Sequence, residues 1–404
     1  MKTKAPKVIL MLAIAFCCVS AGSQNLNIGN FVSLKVSNNV IYVAGQSGIA
    51  ALKPDLTVLW EKQLPETTIR LLEINDGMIA YSSYVYAGRK GQMFSSFSSL
   101  WDKVTFTDNQ LGAIDLNGQQ KWNSTLNGGS KLSVPAIGSG IVTVMSNDTL
   151  YIFDAANGAL KTKTFNSMKF LLGKSIKDHA LPNQPLITKD AIYTASPFKF
   201  SKLDLDGKIL KQKDMYGVFS QLPVMTVAPL LFDNKIFVAN APTGQRGQKD
   251  GVARLFSIKD NLDKEWDEYV DMKGQTGVSS LTHNSNALFV ATNFDVMAFN
   301  VKGKKLWENN KDIGLPLLRG VRYSGNMGVK NSDGNFLLAD ENAVYIASGK
   351  KVKKEFVKNI TVLDTNKGKI VKTIEVADVI VDMALLDNAL VYITETNKVV
   401  VVTK

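Results

Sequence analysis

The chain has 404 residues, of which 45% are hydrophobic and 21% charged, a balance typical of a globular protein with a sizeable core. Its net charge of +11 favours acidic partners. The two cysteines, Cys17 and Cys18, lie in an N-terminal leader. A mature chain without them would have no disulfide, no thiol catalysis and no thiolate metal site.

Residues 1–23 are predicted to be a secretory signal peptide. Three lysines precede an unbroken apolar run over residues 8–19, and small residues follow. Cleavage after Ala21 or after Ser23 satisfies the preference for small residues. Cleavage after Ser23 is favoured, and the mature protein would then begin at Gln24.

A lipid anchor at Cys17 or Cys18 is the alternative to this soluble exported form. The apolar run is too short to span a bilayer, and no later segment is long and apolar enough, so no transmembrane segment is predicted. Removing the three leader lysines lowers the net charge from +11 to +8.

An apolar run preceded by a turn rich in Asn, Asp or Gly recurs eight times along residues 30–404. We name the strands of a predicted four-stranded unit A, B, C and D in chain order. Each run is predicted to be strand B, and the turn before it closes the hairpin from strand A. The runs begin at Val40, Met78, Ile141, Ala191, Lys235, Ala287, Ala343 and Ala389.

A second landmark follows the first seven runs and predicts the hairpin between strands C and D. It consists of an apolar residue, a turn with Gly or Asp, and then Trp or a large aliphatic residue. The large residues are Trp60, Trp122, Leu160, Leu210, Trp266, Trp307 and Ile370. Four of the five tryptophans fall at this position, where a ring is expected to cover the junction with the next unit.

The spacing from strand B to this landmark locates insertions. It is 17 or 18 residues in four copies and 42, 29 and 25 in the others, which predicts B–C insertions within 83–110, 240–254 and 348–360. The eighth copy shows strands A to C, and residues 25–30 are predicted to supply its strand D. The fold prediction is an all-β protein with one eight-bladed β-propeller over residues 24–404, closed by pairing of the N- and C-terminal strands.

The C–D landmark resembles the repeat of quinoprotein-like (PQQ-like repeat) propellers, whose consensus reads A-x-D-x-x-T-G-x-x-x-W. The clearest matches are IDLNGQQKW from Ile114, FDAANGAL from Phe153 and LDTNKGKI from Leu363. The resemblance covers essentially all of the mature chain. A WD40 propeller is the rival, because Trp101 and Trp266 are each followed by Asp, but the partnering Gly-His is absent.

Two branches of this family imply different functions. The quinone-dependent dehydrogenases use adjacent disulfide-bonded cysteines, a calcium site and an aspartate base at the ring centre. The adjacent cysteines here lie in the leader, and no carboxylate cluster repeats along the strand A segments. The other branch is the exported, BamB-like propeller of the outer-membrane assembly machinery, a non-enzymatic scaffold. The resemblance to it implies no cofactor and no catalytic residue.

The residues themselves give no catalytic or metal constellation. His179 and His283 are far apart in sequence and lack Cys, Asp or Glu at ligand spacing. The stretch from Leu203 begins like a calcium loop, but Met215 stands where such a loop needs Glu. No metal site is therefore predicted.

In a four-stranded meander the B–C loops and the D–A connections leave the ring on one side, which we call the B–C face. The three insertions and two long D–A connections, 166–184 and 309–333, are predicted to share it. In the order given, the three insertions carry net charges of +1, +2 and +4 and the two connections +2 each. Positive charge is therefore predicted to concentrate on this face.

Basic and aromatic residues of the B–C face are the predicted partner-binding residues. They are Arg89, Lys90, Phe94, Phe97, Trp101, Arg246, Arg254, Arg319, Arg322, Lys350, Lys351, Lys353 and Lys354. Tyr84 and Tyr86 add to the aromatic content of the first insertion.

The predicted function is a non-catalytic binding or scaffold propeller in the periplasm, at the outer membrane or on the surface of a Gram-negative bacterium. The expected partner is an envelope protein, with an outer-membrane complex as one candidate. Anionic lipid or acidic glycan is a further contact, and nucleic acid is not expected for an exported protein. The alternative is an envelope enzyme that acts on an acidic glycan or uses a quinone.

Overall fold

The structure is a computed structural model in which all the described secondary structure is β-strand. It describes residues 26–90, 103–127, 131–146, 149–165, 183–195, 199–214, 223–225, 227–242, 254–259, 261–262, 278–292, 295–309, 313, 315–316, 334–352 and 355–404.

The described strands form eight sheets, numbered here as blades 1 to 8 in chain order. Blades 1 and 2 contain β1 (Phe31–Ser37), β2 (Val40–Gly45), β3 (Gly48–Leu52), β4 (Val58–Gln63), β5 (Ile69–Asn75), β6 (Met78–Lys90), β7 (Lys103–Asp115) and β8 (Gln120–Thr125). Blades 3 and 4 contain β9 (Ala136–Gly138), β10 (Ile141–Ser146), β11 (Thr149–Asp154), β12 (Leu160–Phe165), β13 (Leu186–Ile187), β14 (Ile192–Ala195), β15 (Lys199–Leu203) and β16 (Ile209–Asp214). Blades 5 and 6 contain β17 (Pro223–Met225), β18 (Leu230–Phe232), β19 (Lys235–Pro242), β20 (Arg254–Ile258), β21 (Val278–His283), β22 (Leu288–Thr292), β23 (Val296–Phe299) and β24 (Lys305–Asn309). Blades 7 and 8 contain β25 (Leu315–Pro316), β26 (Leu337–Ala339), β27 (Ala343–Val352), β28 (Glu355–Asp364), β29 (Ile370–Val376), β30 (Ile380–Leu385), β31 (Ala389–Thr394) and β32 (Val399–Thr403).

The predicted strands B are β2, β6, β10, β14, β19, β22, β27 and β31, one in each sheet. Each pairs antiparallel with the strands before and after it in the chain. Because each sheet packs between two others, strand B is covered on both faces and reads as a continuous apolar run, and all five residues of β22 are buried. The prediction of an eight-bladed propeller is confirmed.

In blades 5 and 7 the innermost strand, strand A, is broken into two short strands. In blade 5, β17 pairs with the C-terminal half of β19 and β18 with its N-terminal half. In blade 7, β25 pairs with Ser348 and Gly349, and β26 pairs with residues 344–346. The prediction that all of 309–333 forms a D–A connection is therefore wrong, because β25 already belongs to strand A. Its two residues are too few to stand out in the sequence.

The described C–D turns in blades 2, 3, 4, 6 and 7 share one construction. In blade 2, Oδ1 of Asp115 accepts hydrogen bonds from the backbone N–H groups of Asn117 and Gln119, both at 2.9 Å. A glycine with positive φ follows in each turn, with φ between 64° and 85°. These glycines are Gly118, Gly158, Gly207, Gly303 and Gly368.

The register of strand D corrects part of the landmark assignment. Trp60, Trp122 and Trp307 pair with the alanines at positions 51, 113 and 298. In blades 3, 4 and 7 this register position belongs to Thr162, Lys211 and Lys372. The prediction that large aliphatic residues replace Trp there is wrong.

The three aliphatic residues chosen from the sequence precede this register position by one or two residues. Their exposed fractions are 50%, 47% and 36% for Leu160, Leu210 and Ile370. In blades 3 and 7 the turn has one more residue ahead of its glycine, which displaces the position. In blade 4 the turn has the ordinary length, and the apolar Leu210 was chosen in place of its neighbour Lys211. Counting four residues after the turn glycine would have found it.

Each described tryptophan of strand D reaches into the next blade. The indole N–H of Trp122 donates to the carbonyl oxygen of Ala155 at 2.9 Å, and its ring stacks on Phe153 with centroids 6.2 Å apart. A Cβ atom added at Gly158 would lie 2.4 Å from this ring. Trp60 meets Gly118 and Trp307 meets Gly368 in the same way. The prediction that these rings cover blade junctions is confirmed for the three described tryptophans.

Two C–D turns carry leucine in the left-handed position. Leu56 has φ 68° and Leu262 has φ 63°, and their exposed fractions are 7% and 3%. Leu56 lies in the core cluster between blades 8 and 1, and Leu262 lies in the cluster between blades 4 and 5. No described tryptophan packs against either turn. Blade 4 has Lys211 at the strand D position that tryptophan occupies elsewhere, and the described part of blade 8 ends at strand C. The leucine side chain fills the junction from the opposite side.

The ring closes where blades 8 and 1 pack together. Their shared core includes Leu34 and Val43 from blade 1 and Val391 and Ile393 from blade 8. The backbone N–H of Phe31 donates to the side-chain oxygen of Asn397 at 2.8 Å. Hydrophobic contact and side-chain hydrogen bonds therefore join the first and last blades.

Residues 26–30 do not form the predicted strand D of blade 8. They lie along blade 1, where the carbonyl oxygen of Ile28 accepts a hydrogen bond from Ser47 N at 2.7 Å. Ile28 is fully buried, and a Cβ atom at Gly45 would lie 2.1 Å from its carbonyl oxygen. Gly45 and Gly48 open a slot that this segment fills. Within the described part of the chain, β32 pairs with β31 alone.

Candidate functional site

The predicted partner-binding residues belong to the insertions of the B–C face, and the structure describes only some of them. Phe94, Phe97, Trp101, Arg246, Arg319, Arg322, Lys353 and Lys354 lie outside the described residues. For the remaining five, the structure describes the backbone position without the side chain: Arg89, Lys90, Arg254, Lys350 and Lys351. Partner binding by these thirteen residues stays a prediction.

The first B–C insertion is an extension of the blade 2 hairpin. β6 and β7 each have 13 residues and pair as far as Lys90 opposite Lys103. The neighbouring strands stop earlier, since β5 pairs with β6 only as far as Tyr84 and β8 pairs with β7 only as far as Gln110. Residues 85–90 and 103–107 therefore form a two-stranded ribbon beyond the blade, which we call arm 2.

The base of arm 2 contains an aromatic cluster. The ring of Phe106 makes edge contacts with the rings of Tyr84, 5.1 Å away, and Tyr86, 6.0 Å away. Tyr84, which was counted from the sequence among the aromatic residues of the first insertion, is fully buried in the core. Tyr86 is 36% exposed and lies where the ribbon leaves the blade. The sequence reasoning overlooked Phe106, although its alternation with Val104 is the ordinary signal of a strand.

The third insertion extends the blade 7 hairpin in the same way. β27 and β28 have 10 residues each and pair as far as Val352 opposite Glu355. β29 pairs with β28 only as far as Lys358. Residues 350–352 and 355–357 thus form a shorter ribbon, which we call arm 7.

Arms 2 and 7 stand on either side of blades 8 and 1, whose B–C turns are short. The surface there is polar and hydrogen-bonded. Asn30 donates from Nδ2 to the side-chain oxygen of Gln46 at 3.0 Å, and Asn397 donates from Nδ2 to the side-chain oxygen of Asn30 at 3.1 Å. Hydrogen-bonded polar side chains of blades 1 and 8 therefore lie between the two arms.

Arg70 anchors the B–C face beside arm 2. It is 1% exposed, and its guanidinium donates to the carbonyl oxygens of Gly45 at 2.7 Å, Gln46 at 3.0 Å and Pro65 at 2.6 Å. Burial lowers its pKa to about 10, against the influence of Tyr81, whose ring lies 5.9 Å below the guanidinium carbon. These bonds join the B–C turn of blade 1 to the connection leading into blade 2, so both leave on one face.

On the opposite face, formed by the A–B and C–D turns, the A–B turns around the ring centre are acidic. Five A–B turns carry an exposed acidic residue: Asp76, Asp190, Asp233, Glu341 and Asp387. Lys189 is the one basic residue at the tips of the described A–B turns. The rim of the ring centre on this side is therefore acidic, whereas the insertions of the other face are basic in sequence.

A buried carboxylate lies at the ring centre. Asp382 on β30 is 3% exposed, and its two oxygens accept backbone N–H groups from Leu34 at 2.8 Å, Asn335 at 2.7 Å and Met383 at 2.9 Å. Burial raises the pKa of Asp382 to about 6, although the three N–H donors and Lys35 act to lower it. Asp382 links blade 8 to blades 1 and 7.

A second polar group lines the centre beside it. Lys35 pairs with Glu73 at 2.9 Å, and Gln184 donates from Nε2 to the same Glu73 oxygen at 2.7 Å and to the carbonyl oxygen of Pro135 at 2.8 Å. These bonds connect blades 1 to 4. Sequence reasoning overlooked both groups, because single polar residues in different strands A share no sequence motif.

The described cavity at this centre is small. It has a volume of about 30 Å³, and its walls include Leu71, Leu72 and Val134 beside the polar groups. That volume holds about one water molecule, whereas sites for drug-sized ligands enclose roughly 300 to 1,000 Å³. The described residues at the centre thus do not fit a quinone.

The same residues do not fit a bound calcium ion. In the described part of the chain, no group of three or more His, Cys, Asp or Glu side chains converges on one point. Asp382 already accepts three N–H groups, and Glu73 is held by Lys35 and Gln184.

None of the described residues form a helix of the length and apolarity that a membrane crossing requires.

Sequence comparison gives one family match. Residues 23–196, somewhat under half of the chain, match the family model described as "Outer membrane protein assembly factor BamB". No curated protein matches the sequence.

Solved structures share the fold at low sequence identity. BamB from Moraxella catarrhalis aligns with a TM-score of 0.62 and 15% identity over 92% of this chain and 96% of that chain. The computationally designed protein Ika8 aligns with a TM-score of 0.63 and 14% identity over 95% and 98% of the two chains. Quinohemoprotein alcohol dehydrogenase ADHIIG from Pseudomonas putida HK5 aligns with a TM-score of 0.53 and 11% identity over 91% and 70%. The predicted resemblance to quinoprotein-like and BamB-like propellers is confirmed.

Proposed function

We propose that this protein is a non-catalytic scaffold of the bacterial cell envelope that holds a protein partner on its B–C face. The observation that carries the proposal is the pair of hairpins that extend beyond the sheets of blades 2 and 7 on that face. A propeller needs no such extension for its own core, since the other described hairpins between strands B and C in blades 1, 3, 4, 6 and 8 are short. Extra structure on one face is typical of an interaction surface.

The charge distribution supports an acidic partner. The three insertions and two long connections predicted for the B–C face sum to +11, against +8 for the predicted mature chain, and the densest run is Lys350, Lys351, Lys353 and Lys354. An acidic partner would be drawn toward this face and away from the acidic A–B turns. Anionic lipid or acidic glycan, which is negatively charged like the proposed partner, is a secondary contact.

The family match supports the location. The matched family model names an outer-membrane assembly factor, and residues 1–23 have the form of a secretory signal peptide. The proposed location is therefore the periplasm or the outer membrane of a Gram-negative bacterium, with an outer-membrane complex as the source of the partner.

Charge reversal on arm 7 tests the proposal. Replacing Lys350, Lys351, Lys353 and Lys354 with Glu should reduce capture of partners in crosslinked envelopes by about tenfold or more, since each tenfold loss needs only about 1.4 kcal/mol. Quantitative mass spectrometry of the captured proteins measures the effect. The melting temperature should not fall, because Lys350 and Lys351 lie in arm 7, beyond the blade.

A matched variant separates this surface from general charge effects. The residues Lys208, Lys302, Lys304 and Lys369 are exposed on C–D turns of the opposite face, and their replacement with Glu changes the net charge by the same amount. This control should capture partners normally. Equal losses in both variants would count against the B–C face.

An envelope enzyme is the rival function, and the shared fold with a quinohemoprotein dehydrogenase is what favours it. The purified protein should show no quinone absorption after incubation with pyrroloquinoline quinone and calcium, and no turnover of an acidic polysaccharide. Either activity would replace the scaffold proposal.

A further inference from the structure

The two edges of arm 2 differ in regularity. On β6, Ala87 is an extra residue between the pairs formed by Tyr86 and Gly88, so this edge is bulged. The lower part of the same edge is occupied, since Tyr86 N donates to the hydroxyl of Thr68 at 2.9 Å. β6 faces strand A and the ring axis. A partner strand would find this inner edge distorted and partly filled.

The edge of β7 is regular over the same stretch. Residues 103–107 pair one for one along their length, apart from the bulge that belongs to β6, and the extra residue that β7 itself carries lies outside this stretch, at Asp108 and Asn109, where the arm leaves the blade. On the outer side, the pairing with β8 reaches Gln110, and Leu126 N still donates to the carbonyl oxygen of Asn109 at 2.8 Å. Closer to the tip, residues 103–107 have no described strand beside their outer edge. Five residues of extended strand span about 17 Å. Unpaired edges of this kind are templates for strand addition.

The arm is also unbalanced in charge. Lys90 lies directly opposite Lys103 in the ribbon, with Arg89 next to it in sequence. Like charges placed directly across a ladder oppose pairing, and a two-stranded ribbon is marginally stable alone. A third strand that carries acidic residues would offset the like-charge repulsion and would also stabilise the two-stranded ribbon.

We propose that the outer edge of β7, from Lys103 to Thr107, binds an extended acidic segment of the partner protein by adding it as a third strand of arm 2. Main-chain hydrogen bonds supply the contact, and Lys90 and Lys103 favour acidic side chains near the tip. The inference rests on the proposed scaffold function and specifies how the partner is held.

Site-specific photocrosslinking in the full-length protein tests this geometry. Benzoylphenylalanine is placed singly at Val104, Thr105 and Phe106, and the crosslinked peptides are mapped by mass spectrometry after irradiation of intact envelopes. The expected result is one acidic segment of one partner, with successive β7 positions crosslinking to successive residues of that segment in a single direction. Scattered crosslinks, lipid adducts or crosslinks to a second copy of this chain would overturn the proposal.

Hydrogen exchange with the mapped segment as a synthetic peptide supplies a second readout. In an added strand only every second amide of β7 gains a partner, so alternate amides within 103–107 should slow by about tenfold or more while those between them change little. Uniform slowing of all five amides would indicate ordering of the arm without strand addition, and would count against it.

Two shortened variants distinguish this inference from the proposed function. Replacing residues 87–105 with Asn-Gly should keep the melting temperature and abolish peptide binding, whereas replacing residues 350–357 with Asn-Gly should leave peptide binding within about twofold. If partner capture depends on arm 7 alone, the scaffold function stands and strand addition at β7 is wrong. If the intact protein captures no partner at all, both fail.

Discussion

The junction between blades 2 and 3 and the junction between blades 8 and 1 are filled in opposite ways. At the first, Trp122 crosses from strand D of blade 2 onto Gly158, which leaves room for the ring. At the second, Leu56 projects from the C–D turn of blade 1 and is 7% exposed in the shared core. Both turns use the same left-handed backbone, with φ 71° and 68°.

The difference shows that the residue at the left-handed position of a turn depends on the side chain that strand D of the preceding blade places in the junction. Glycine accepts the left-handed conformation without strain, whereas for leucine that conformation costs roughly 1–2 kcal/mol. Burying the leucine side chain contributes about 1.5–3 kcal/mol and offsets that cost. Leucine therefore suits a junction that the preceding strand D leaves unfilled, whereas glycine suits one that a strand D side chain enters, as Trp122 does at Gly158 and Thr162 does at Gly207.

Trp122→Ala should give the largest loss of stability among these changes. The variant removes a side chain that is 7% exposed, together with its hydrogen bond to Ala155 and its contact with Phe153. Truncation of a buried Trp costs about 3–5 kcal/mol. Urea denaturation followed by tryptophan fluorescence from the remaining rings measures the change in unfolding free energy.

A double variant tests whether the two junction types are interchangeable. Gly158→Leu alone should be severely destabilising, because a Cβ atom there lies 2.4 Å from the Trp122 ring. In the Trp122→Ala background the same leucine should cost less by at least about 1 kcal/mol, since it can enter the vacated space. Additive effects would show that the comparison with Leu56 does not hold.

Leu56→Ala should cost less than Trp122→Ala, about 2 kcal/mol, because the removed side chain is smaller while the left-handed strain remains. Leu56→Gly is the informative control, since it relieves that strain and should recover about 1 kcal/mol relative to alanine. Both values come from the same urea titration. A glycine variant less stable than the alanine variant would contradict the assignment of strain to this turn.

Asp382 should make the stability of the junction between blades 8 and 1 depend on pH, which the junction between blades 2 and 3 should not do. Its pKa in the folded protein, about 6, lies above the ordinary value, mainly through burial, so the group stabilises the fold most below about pH 4. That contribution is lost as the pH rises through 6. Lys35 faces the carboxylate and Glu73 pairs with Lys35, so both must be considered when the curve is fitted.

The comparison for this prediction is Asp382→Asn, which cannot ionise. The unfolding free energy of the wild type minus that of the variant should decrease between about pH 4 and about 7 and then level off. An increase over that range would mean that the three N–H donors outweigh burial and hold the carboxylate ionised.

Much of the fold follows from local sequence. All eight strands B are predicted from apolar runs after Asn, Asp or Gly turns, because sheets covered on both faces require such runs. The tryptophan positions are also predicted, since a large ring that recurs at one repeat position indicates a repeated packing contact. The position equivalent to Trp is misplaced in blades 3, 4 and 7, where Thr162, Lys211 and Lys372 give no apolar signal.

The candidate site was less predictable. The sequence showed where extra residues lie, but not that residues 85–90 and 103–107 continue the blade hairpin as a ribbon. Pairing across the intervening residues 91–102 depends on tertiary register, which spacing alone does not reveal. The ring-centre group of Lys35, Glu73, Gln184 and Asp382 draws one residue from each of four distant segments, so no local pattern marks it.

The slot that holds Ile28 fixes the direction in which the N-terminus leaves the molecule. Residues 27–30 are bonded to Ser47, Gln46 and Gln63, all at the B–C edge of blade 1. Anything attached ahead of Leu26, whether an affinity tag, a fluorophore or an acyl chain, departs on the side that carries arms 2 and 7. A tag joined directly to Leu26 would therefore begin on the side of the ring that carries the arms, away from the acidic A–B turns.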